Sequence, residues 1–395
     1  MSSFLSQTFA VINMNFRSLP RRIWMSLAMI LASAVVVAIL LAFLAMAKGF
    51  EVTLNSAGVD DVAIFLREGS AAELNSVISR DQLAIIETAP GIIKDADGPI
   101  LSAELYVIVD GLKKTTQTEA NIPLRGIDLR GIKMRDGFNL VDGRMFTPGT
   151  DEMIVGQGIL NEFDGFNLGS EVRFGKYRWQ VVGVFTTGGN VFESELWADT
   201  KVIQNLYKRG SSVQTIRAKL ASEQSLEQLK QFISNDARLN IDVQTETDYF
   251  AVQSKNLNYM AIFGKVISAI MALGALAGAL NTMYTSVADR AKEIATLRTI
   301  GFSNTATFVG TVTEALALSA LGGLLGSLMA YLIFDGMNTS TLGGSFTQVV
   351  FSFRFTSELI IQGILMALSI GFISGVFPAW RAIRMPLLVA FSSQH

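Results

Sequence analysis

The 395-residue chain contains no cysteine, which excludes disulfides, thiolate catalysis, iron–sulfur clusters and cysteine-ligated zinc, and leaves the redox compartment unreadable. Its only histidine is His395, the last residue, so a histidine triad or an H-E-x-x-H zinc site would require the terminus to fold back. No catalytic residue and no metal site is expected. Charge is also scarce, at 17% of residues against about 25% in ordinary soluble domains. A net charge of -2 offers no basic surface for nucleic acid. No G-x-x-x-x-G-K-[ST] occurs: Gly175-Lys176 and Gly264-Lys265 lack the upstream glycine and the following Ser or Thr. The chain is therefore expected to bind no cofactor and to be no enzyme. Gly156-Gln157-Gly158 has Asn161 where a third glycine would sit, and reads as a turn.

What is abundant is apolar sequence, 50% of residues. Residues 23–47 carry no charge and, as a helix, reach about 37 Å, enough to cross a hydrocarbon core of about 30 Å. A signal peptide is the rival reading, given Arg21, Arg22 and the small-x-small pattern at Ala45-Met46-Ala47, but signal h-regions are shorter. Three more apolar stretches follow, the first broken by Lys265 and the second by Glu314. Arg17, Arg21 and Arg22 precede the first span, Arg290, Lys292 and Arg298 lie between the second and third, and Arg381 and Arg384 follow the fourth. The positive-inside rule then puts both termini in the cytoplasm.

The expected fold class is thus membrane α-helical, with four transmembrane helices and an α/β extracytoplasmic domain. Residues 1–22 form an amphipathic helix at the inner membrane surface, and 23–48 the first span. Residues 49–258 form the outer domain, with an inserted all-β lobe at about 121–197. A second span at 259–288 has a stalk from about 248, running as one helix without proline. A cytoplasmic segment at 289–303 leads to the third span, 304–334. A short outer loop, 335–356, joins it to the fourth, 357–378, before a cytoplasmic tail, 379–395. Within the outer domain, 62–66, 100–109, 213–220 and 239–244 read as strands. Ser79-Arg80-Asp81-Gln82 reads as a capping box opening a helix that Pro90-Gly91 ends, and 226–233 as a second helix.

Three patterns stand out as functional candidates. Gly274 and Gly278, Gly322 and Gly326, and Gly371 and Gly375 place a G-x-x-x-G pair in each of the last three spans, suited to packing within one subunit or to a dimer seam. Lys265 and Glu314 are the intramembrane charges one would suspect of transport chemistry, although both can reach an interface or a local partner. The segment from Asp289 to Phe302 mixes charges with a stripe of Ile294, Leu297 and Ile300, and then Gly301. It reads as a short amphipathic helix with a glycine cap, built to dock on something or to lie at the interface.

The run R-x-K-E-I-A-T-L-R-x-I-G-F from Arg290, T-x-x-E-A-L-A-L from Thr311, G-G-L-L-G-S from Gly322 and F-P-A-W-R-A-I-R from Phe377 resemble the FtsX/MacB superfamily of ABC-transporter permeases. The order of one span, a large outer domain and three spans resembles it too. The resemblance implies a MacB-like periplasmic core of porter-like and β lobes, a bacterial inner-membrane location, and a type VII permease dimer with a second, homodimeric copy. It implies export or extraction by mechanotransmission, driven by a separate cytoplasmic ABC ATPase that binds ATP and Mg. It leaves open a periplasmic adaptor (membrane fusion) protein, and the cargo. Arg290, Lys292, Glu293, Ile294, Leu297, Arg298, Gly301 and Phe302 would form the ATPase-coupling segment. The other reading is a membrane receptor, or an FtsX-like signal transmitter with no transported substrate. A receptor usually carries a sizeable internal output domain, and only short internal loops are read here.

Overall fold

The computed structural model describes residues 4–255, 258–342, 348–384 and 386. Helix α1 (Phe4–Ser18) and a 3-10 turn lead into α2 (Ile23–Asn55). The middle of the chain supplies β1 (Val62–Arg67), α3 (Arg80–Ile86), the small hairpin β2 (Lys94–Asp95) and β3 (Gly98–Pro99), β4 (Leu101–Leu112), β5 (Glu119–Gly126) and α4 (Leu129–Lys133). It continues with β6 (Asn139–Gly143), β7 (Glu152–Gly156), α5 (Gln157–Glu162), β8 (Glu171–Phe174), β9 (Tyr177–Thr186), β10 (Leu196–Ala198) and α6 (Thr200–Leu206). Then come β11 (Thr215–Lys219), α7 (Ser225–Ser234), β12 (Ile241–Thr245) and α8 (Glu246–Lys255). The last third holds α9 (Asn258–Asp289), α10 (Ala291–Thr299), α11 (Asn304–Phe334), the hairpin β13 (Asn338–Leu342) and β14 (Gln348–Ser352), and α12 (Ser357–Arg384).

Two compact units result, one from residues 1–48, 259–337 and 353–395 and one from 49–258 and 338–352. In the first, α2, α9, α11 and α12 are each long and apolar enough to cross a membrane, which makes the chain a multi-pass membrane protein. Lipid supplies no hydrophobic drive between helices, so small residues set their approach. A Cβ at Gly326 would stand 2.3 Å from the Ala34 carbonyl oxygen of α2, and one at Gly371 would stand 2.6 Å from Ser319 Cβ of α11. Gly322 likewise meets Ile30 and Ser33, and Gly375 meets Ala315 and Val312. A Cβ at Gly274 or Gly278 on α9, by contrast, would meet nothing within 4 Å beyond its own helix among the described residues.

The second unit is built on a ten-stranded sheet in the order β12-β1-β11-β4-β5-β10-β7-β9-β6, with β8 paired to β9. The long β4 joins its two halves: Leu101–Glu104 pair with β11 and Leu105–Leu112 with β5. Each half has its own core. Phe65, Ile216 and Ala218 pack with Ile86 of α3 and Leu229 of α7 on one side, and Leu124, Val155, Phe163, Trp179 and Leu196 cluster on the other. Trp179 is fully buried, and its truncation to Ala is expected to cost about 3–5 kcal/mol. The capping box closes α3: the Ser79 N–H donates to Gln82 Oε1 at 3.0 Å, and the Gln82 N–H to Ser79 Oγ at 3.3 Å.

Two expectations gain detail from the structure, and a third falls outside the described residues. Residues 121–197 hold the helices α4 and α5 as well as strands, and those strands continue the first half's sheet. The loop between the third and fourth spans is a hairpin with a core residue: Val350 joins the Trp179 cluster, and its N–H donates to Ser194 Oγ at 2.8 Å. Its apolar run of Val349, Val350 and Phe351 needs burial, which a bare connection would not give. The proposed uninterrupted helix from 248 to 287 cannot be traced, since residues 256–257 lie outside the described residues.

Candidate functional site

The segment between α9 and α11 begins where Arg290, at φ -101° and ψ 7°, ends one helix and starts the next. Helix α10 closes in a Schellman arrangement. The Phe302 N–H reaches the Leu297 carbonyl at 3.0 Å, and the Gly301 N–H reaches that of Arg298 at 3.2 Å. Gly301 sits at φ +102°, where a side chain would be strained. Ser303 Oγ then caps α11 by accepting from the Ala306 N–H at 3.1 Å. The segment is thus a helix with defined ends.

Its apolar stripe divides. Successive residues turn by 100° around a helix, so positions 294, 297 and 300 drift over about 120°. Ile294 is buried against Val287 and Ala382, Leu297 is half-buried, and Ile300 is 71% exposed. Lys292, Glu293 and Gly301 are exposed, while Arg298 and Phe302 are half-buried. The face available to a partner is therefore narrower than the stripe suggests, and centres on Ile300 with Leu297 at its edge.

Arg290 lies away from the exposed face of the segment. Its side chain is 7% exposed and turns inward, with Nη1 2.9 Å from Glu314 Oε2 on α11. Its Nη2 donates to Asn15 Oδ1 on α1, and its Nε to Glu293 Oε2 at 3.3 Å. A second guanidinium closes the group: Arg22 Nη2 lies 3.5 Å from Glu314 Oε1 and 2.9 Å from Ser18 Oγ, while its Nη1 donates to Ser286 Oγ. A buried ion must be paired, and Glu314 here holds two cations from two other elements. This enclosed carboxylate has the environment of an anchor. Lys265, the other intramembrane candidate, is exposed on α9.

Helix α1 completes the site. Val11 occupies the space that a Cβ at Gly310 would take, approaching it to 2.6 Å, and Gln7 Oε1 accepts from the Ser303 N–H at 3.1 Å. Phe4, Leu5 and Phe9 on its other side are exposed, as expected of a helix that meets lipid. Sequence reasoning missed Arg22, Asn15, Ser18 and Ser286, since nothing in the spacing of residues 15, 22, 286, 290 and 314 marks them as neighbours.

Comparison with known proteins gives the family of the chain. Residues 25–235 match the MacB-like periplasmic core domain and residues 265–387 the FtsX-like permease C-terminal domain. An uncharacterized ABC transporter permease of Methanocaldococcus jannaschii is 22% identical over 285 residues, 70% of each chain. The macrolide export ATP-binding/permease protein MacB of Acinetobacter baylyi is 21% identical over 76% of this chain, and MacB 1 of Aeromonas hydrophila 25% over 65%. The chain spans 48% and 40% of those two proteins' lengths. Among solved structures, the periplasmic region of MacB from Actinobacillus actinomycetemcomitans aligns over 49% of this chain and 92% of its own, at 14% identity and a TM-score of 0.37. The extracellular domain of the noncanonic ABC-type transporter YknZ aligns over 47% of this chain and 100% of its own, at 15% identity and a TM-score of 0.34. With its core-domain match covering more than half of its length and the permease match most of the remainder, the chain belongs to the MacB/FtsX family of ABC transporter permeases.

Proposed function

We propose that the chain is the membrane subunit of a dimeric ATP-driven machine that exports or extracts a substrate by mechanotransmission. An ABC ATPase in the cytoplasm docks on α10, binds ATP and Mg, and drives a conformational change in the core domain across the bacterial inner membrane. The observation that carries this reading is the anchoring of α10: Arg290 pins its first turn to Glu314, so a push on its exposed face is delivered to α1 and α11 together. A flexible loop would dissipate the same push. The basic residues at 17, 21, 22, 290, 292, 298, 381 and 384 support a cytoplasmic setting for both termini and for α10.

The second copy is assigned to the open face of α9. Two of the three G-x-x-x-G pairs are filled by neighbours within the subunit, and α9 is the least enclosed of the four spans. Gly274 and Gly278 therefore suit a helix from another chain. The relatives that carry both functions in one polypeptide are named as exporting macrolides, and an adaptor protein in the periplasm is compatible with this reading.

The test is reconstitution. The purified chain is expected to hydrolyse no ATP above a mock preparation, and an ABC ATPase that co-purifies with it to be stimulated when both are present in one bilayer. Hydrolysis by the chain alone would overturn the assignment.

A further inference from the structure

Seven charged side chains meet inside the core domain, none more than 4% exposed: Glu73, Glu104, Glu195, Glu246, Arg125, Arg135 and Arg217. The register explains three of them. Arg217 lies across from Ser102 and Arg125 across from Tyr106, so with Glu104 they share one face of the sheet. That face lies where β4 changes partner from β11 to β5, at the seam of the two halves.

The bonding is dense. Arg217 reaches Glu104 at 2.6 Å, Glu73 at 2.8 Å and Glu246 at 2.8 Å. Arg125 reaches Glu73 and Glu195 at 2.6 Å and Glu104 at 2.8 Å. Arg135 reaches Glu104 at 2.7 Å and Glu246 at 3.3 Å, and Phe192 lies 4.3–5.8 Å from all three guanidiniums.

Glu246 differs from the other six because it opens α8, the helix that precedes the second span in sequence. One turn on, Tyr249 and Phe250 are buried, and Phe250 meets Phe192 edge-on at 5.7 Å. Thr247 is gripped from the other side as well: a Cβ at Gly58, just past the end of α2, would come within 2.6 Å of Thr247 Cα. The start of α8 is thus held between the ion cluster and the chain leaving α2.

Buried ion clusters are poor stabilisers, since apolar residues of similar volume often serve as well or better. What they impose is geometry, because each guanidinium must meet particular carboxylates. We propose that Glu246 is a positioning residue: through it the buried cluster fixes α8 to the seam between the two halves of the core domain, so that helix and seam move as one. That the motion carries ATP-derived work rests on the function proposed above; the anchoring itself does not.

Hydrogen exchange on the full-length chain in nanodiscs tests the anchor directly. In Glu246→Gln the amides of α8 are expected to exchange at least ~10-fold faster, with β4, β5 and β11 unchanged. Unchanged α8 exchange, or an equal rise across those strands, would overturn the proposal, the second because it marks a merely structural ion cluster. Should Glu246→Gln fail to fold, Glu246→Asp, which keeps the charge but shortens its reach to Arg217 and Arg135, is expected to give a smaller rise confined to α8; no change there would overturn it equally. A parallel arm measures ATP-driven distance changes between spin labels on the core domains of the complex with its ATPase. Motion retained in Glu246→Gln despite a loosened α8 would remove the coupling role, whereas a wild type that never moves would defeat the proposed function and leave the anchor to stand on exchange.

Discussion

Arg290 Nη1 lies 2.9 Å from Glu314 Oε2, which ties the first residue of the turn before α10 to a carboxylate about 15 Å along α11. Removing one partner of a buried pair leaves the other uncompensated, at a cost of about 3–5 kcal/mol. Glu314→Ala strands two guanidiniums, Arg290 and Arg22. It is expected to lower the permease melting temperature and to abolish ATPase stimulation, with Glu314→Gln milder because it can still accept hydrogen bonds. Lys265→Ala, at an exposed position, is expected to change neither. Equal effects of Glu314→Ala and Lys265→Ala would dissolve the anchor.

The two faces of α10 separate stability from docking. Ile294→Asp buries a carboxylate against Val287 and Ala382 and is expected to destabilise the isolated permease. Ile300→Asp alters an exposed position and is expected to leave stability within about 0.5 kcal/mol of wild type while weakening ATPase binding. Leu297→Asp is expected to fall between them. Binding assays with the three variants in detergent, beside thermal melts, check the order.

The absence of native cysteine makes a crosslink at the proposed subunit seam unambiguous. Gly278→Cys has open space at its Cβ, and oxidation in native membranes is expected to yield a disulfide dimer. Gly326→Cys must push on the Ala34 carbonyl, and is expected to destabilise the fold and give no dimer. A dimer from Gly326→Cys and none from Gly278→Cys would move the interface elsewhere.

Acid and alkali should act on the core domain through different carboxylates. Burial pushes the Glu246 carboxyl up, against the pull of Arg135 and Arg217, while Glu104 opposes its charge. Despite burial, Arg125 and Arg217 hold Glu73 well below the usual range, and Arg135, Arg217 and Arg125 hold Glu104 below it. A carboxyl raised on folding binds more protons folded than unfolded, so its contribution is fully present below the ordinary glutamate value and is lost as pH rises through the folded value. Glu73 and Glu104 contribute above that ordinary value and lose their contribution as pH falls through their lowered folded values. As pH rises from the ordinary glutamate value the wild-type melting temperature is therefore expected to decline, and that of Glu246→Gln to decline less, because Asp128, also pushed up by burial, still contributes. Tyr249, buried beside Glu73, stays neutral throughout, its hydroxyl raised by burial. Equal slopes in the two proteins would contradict the assignment to Glu246.

The membrane helices were legible because 18 or more consecutive apolar residues have few other uses, and the glycine cap at Gly301 because only glycine accepts that backbone cheaply. The Ser79–Gln82 box was legible as a local pattern. The core-domain cluster was not. Glu104 and Arg217 alternate with apolar residues along β4 and β11, which reads as an ordinary solvent-facing side, and sequence alone does not show that Glu73, Phe192 and α8 cover it. Its partners stand as many as 144 residues apart. A weak signal existed: Arg217 is flanked by Ile216 and Ala218, both of which prove fully buried, in a strand paired on both sides. The Arg22–Glu314–Arg290 group was hidden likewise, because a charge at a membrane border is usually lipid- or water-facing, and only the folded bundle brings the three together.

The most direct test of the account is affinity purification of the tagged chain from native membranes, beside the Ile300→Asp variant at matched expression. The expected result is an ABC ATPase recovered in stoichiometric amount with wild type and lost from the variant. Recovery of wild type with no ATPase, from membranes in which the complex is stable to the detergent used, would contradict it.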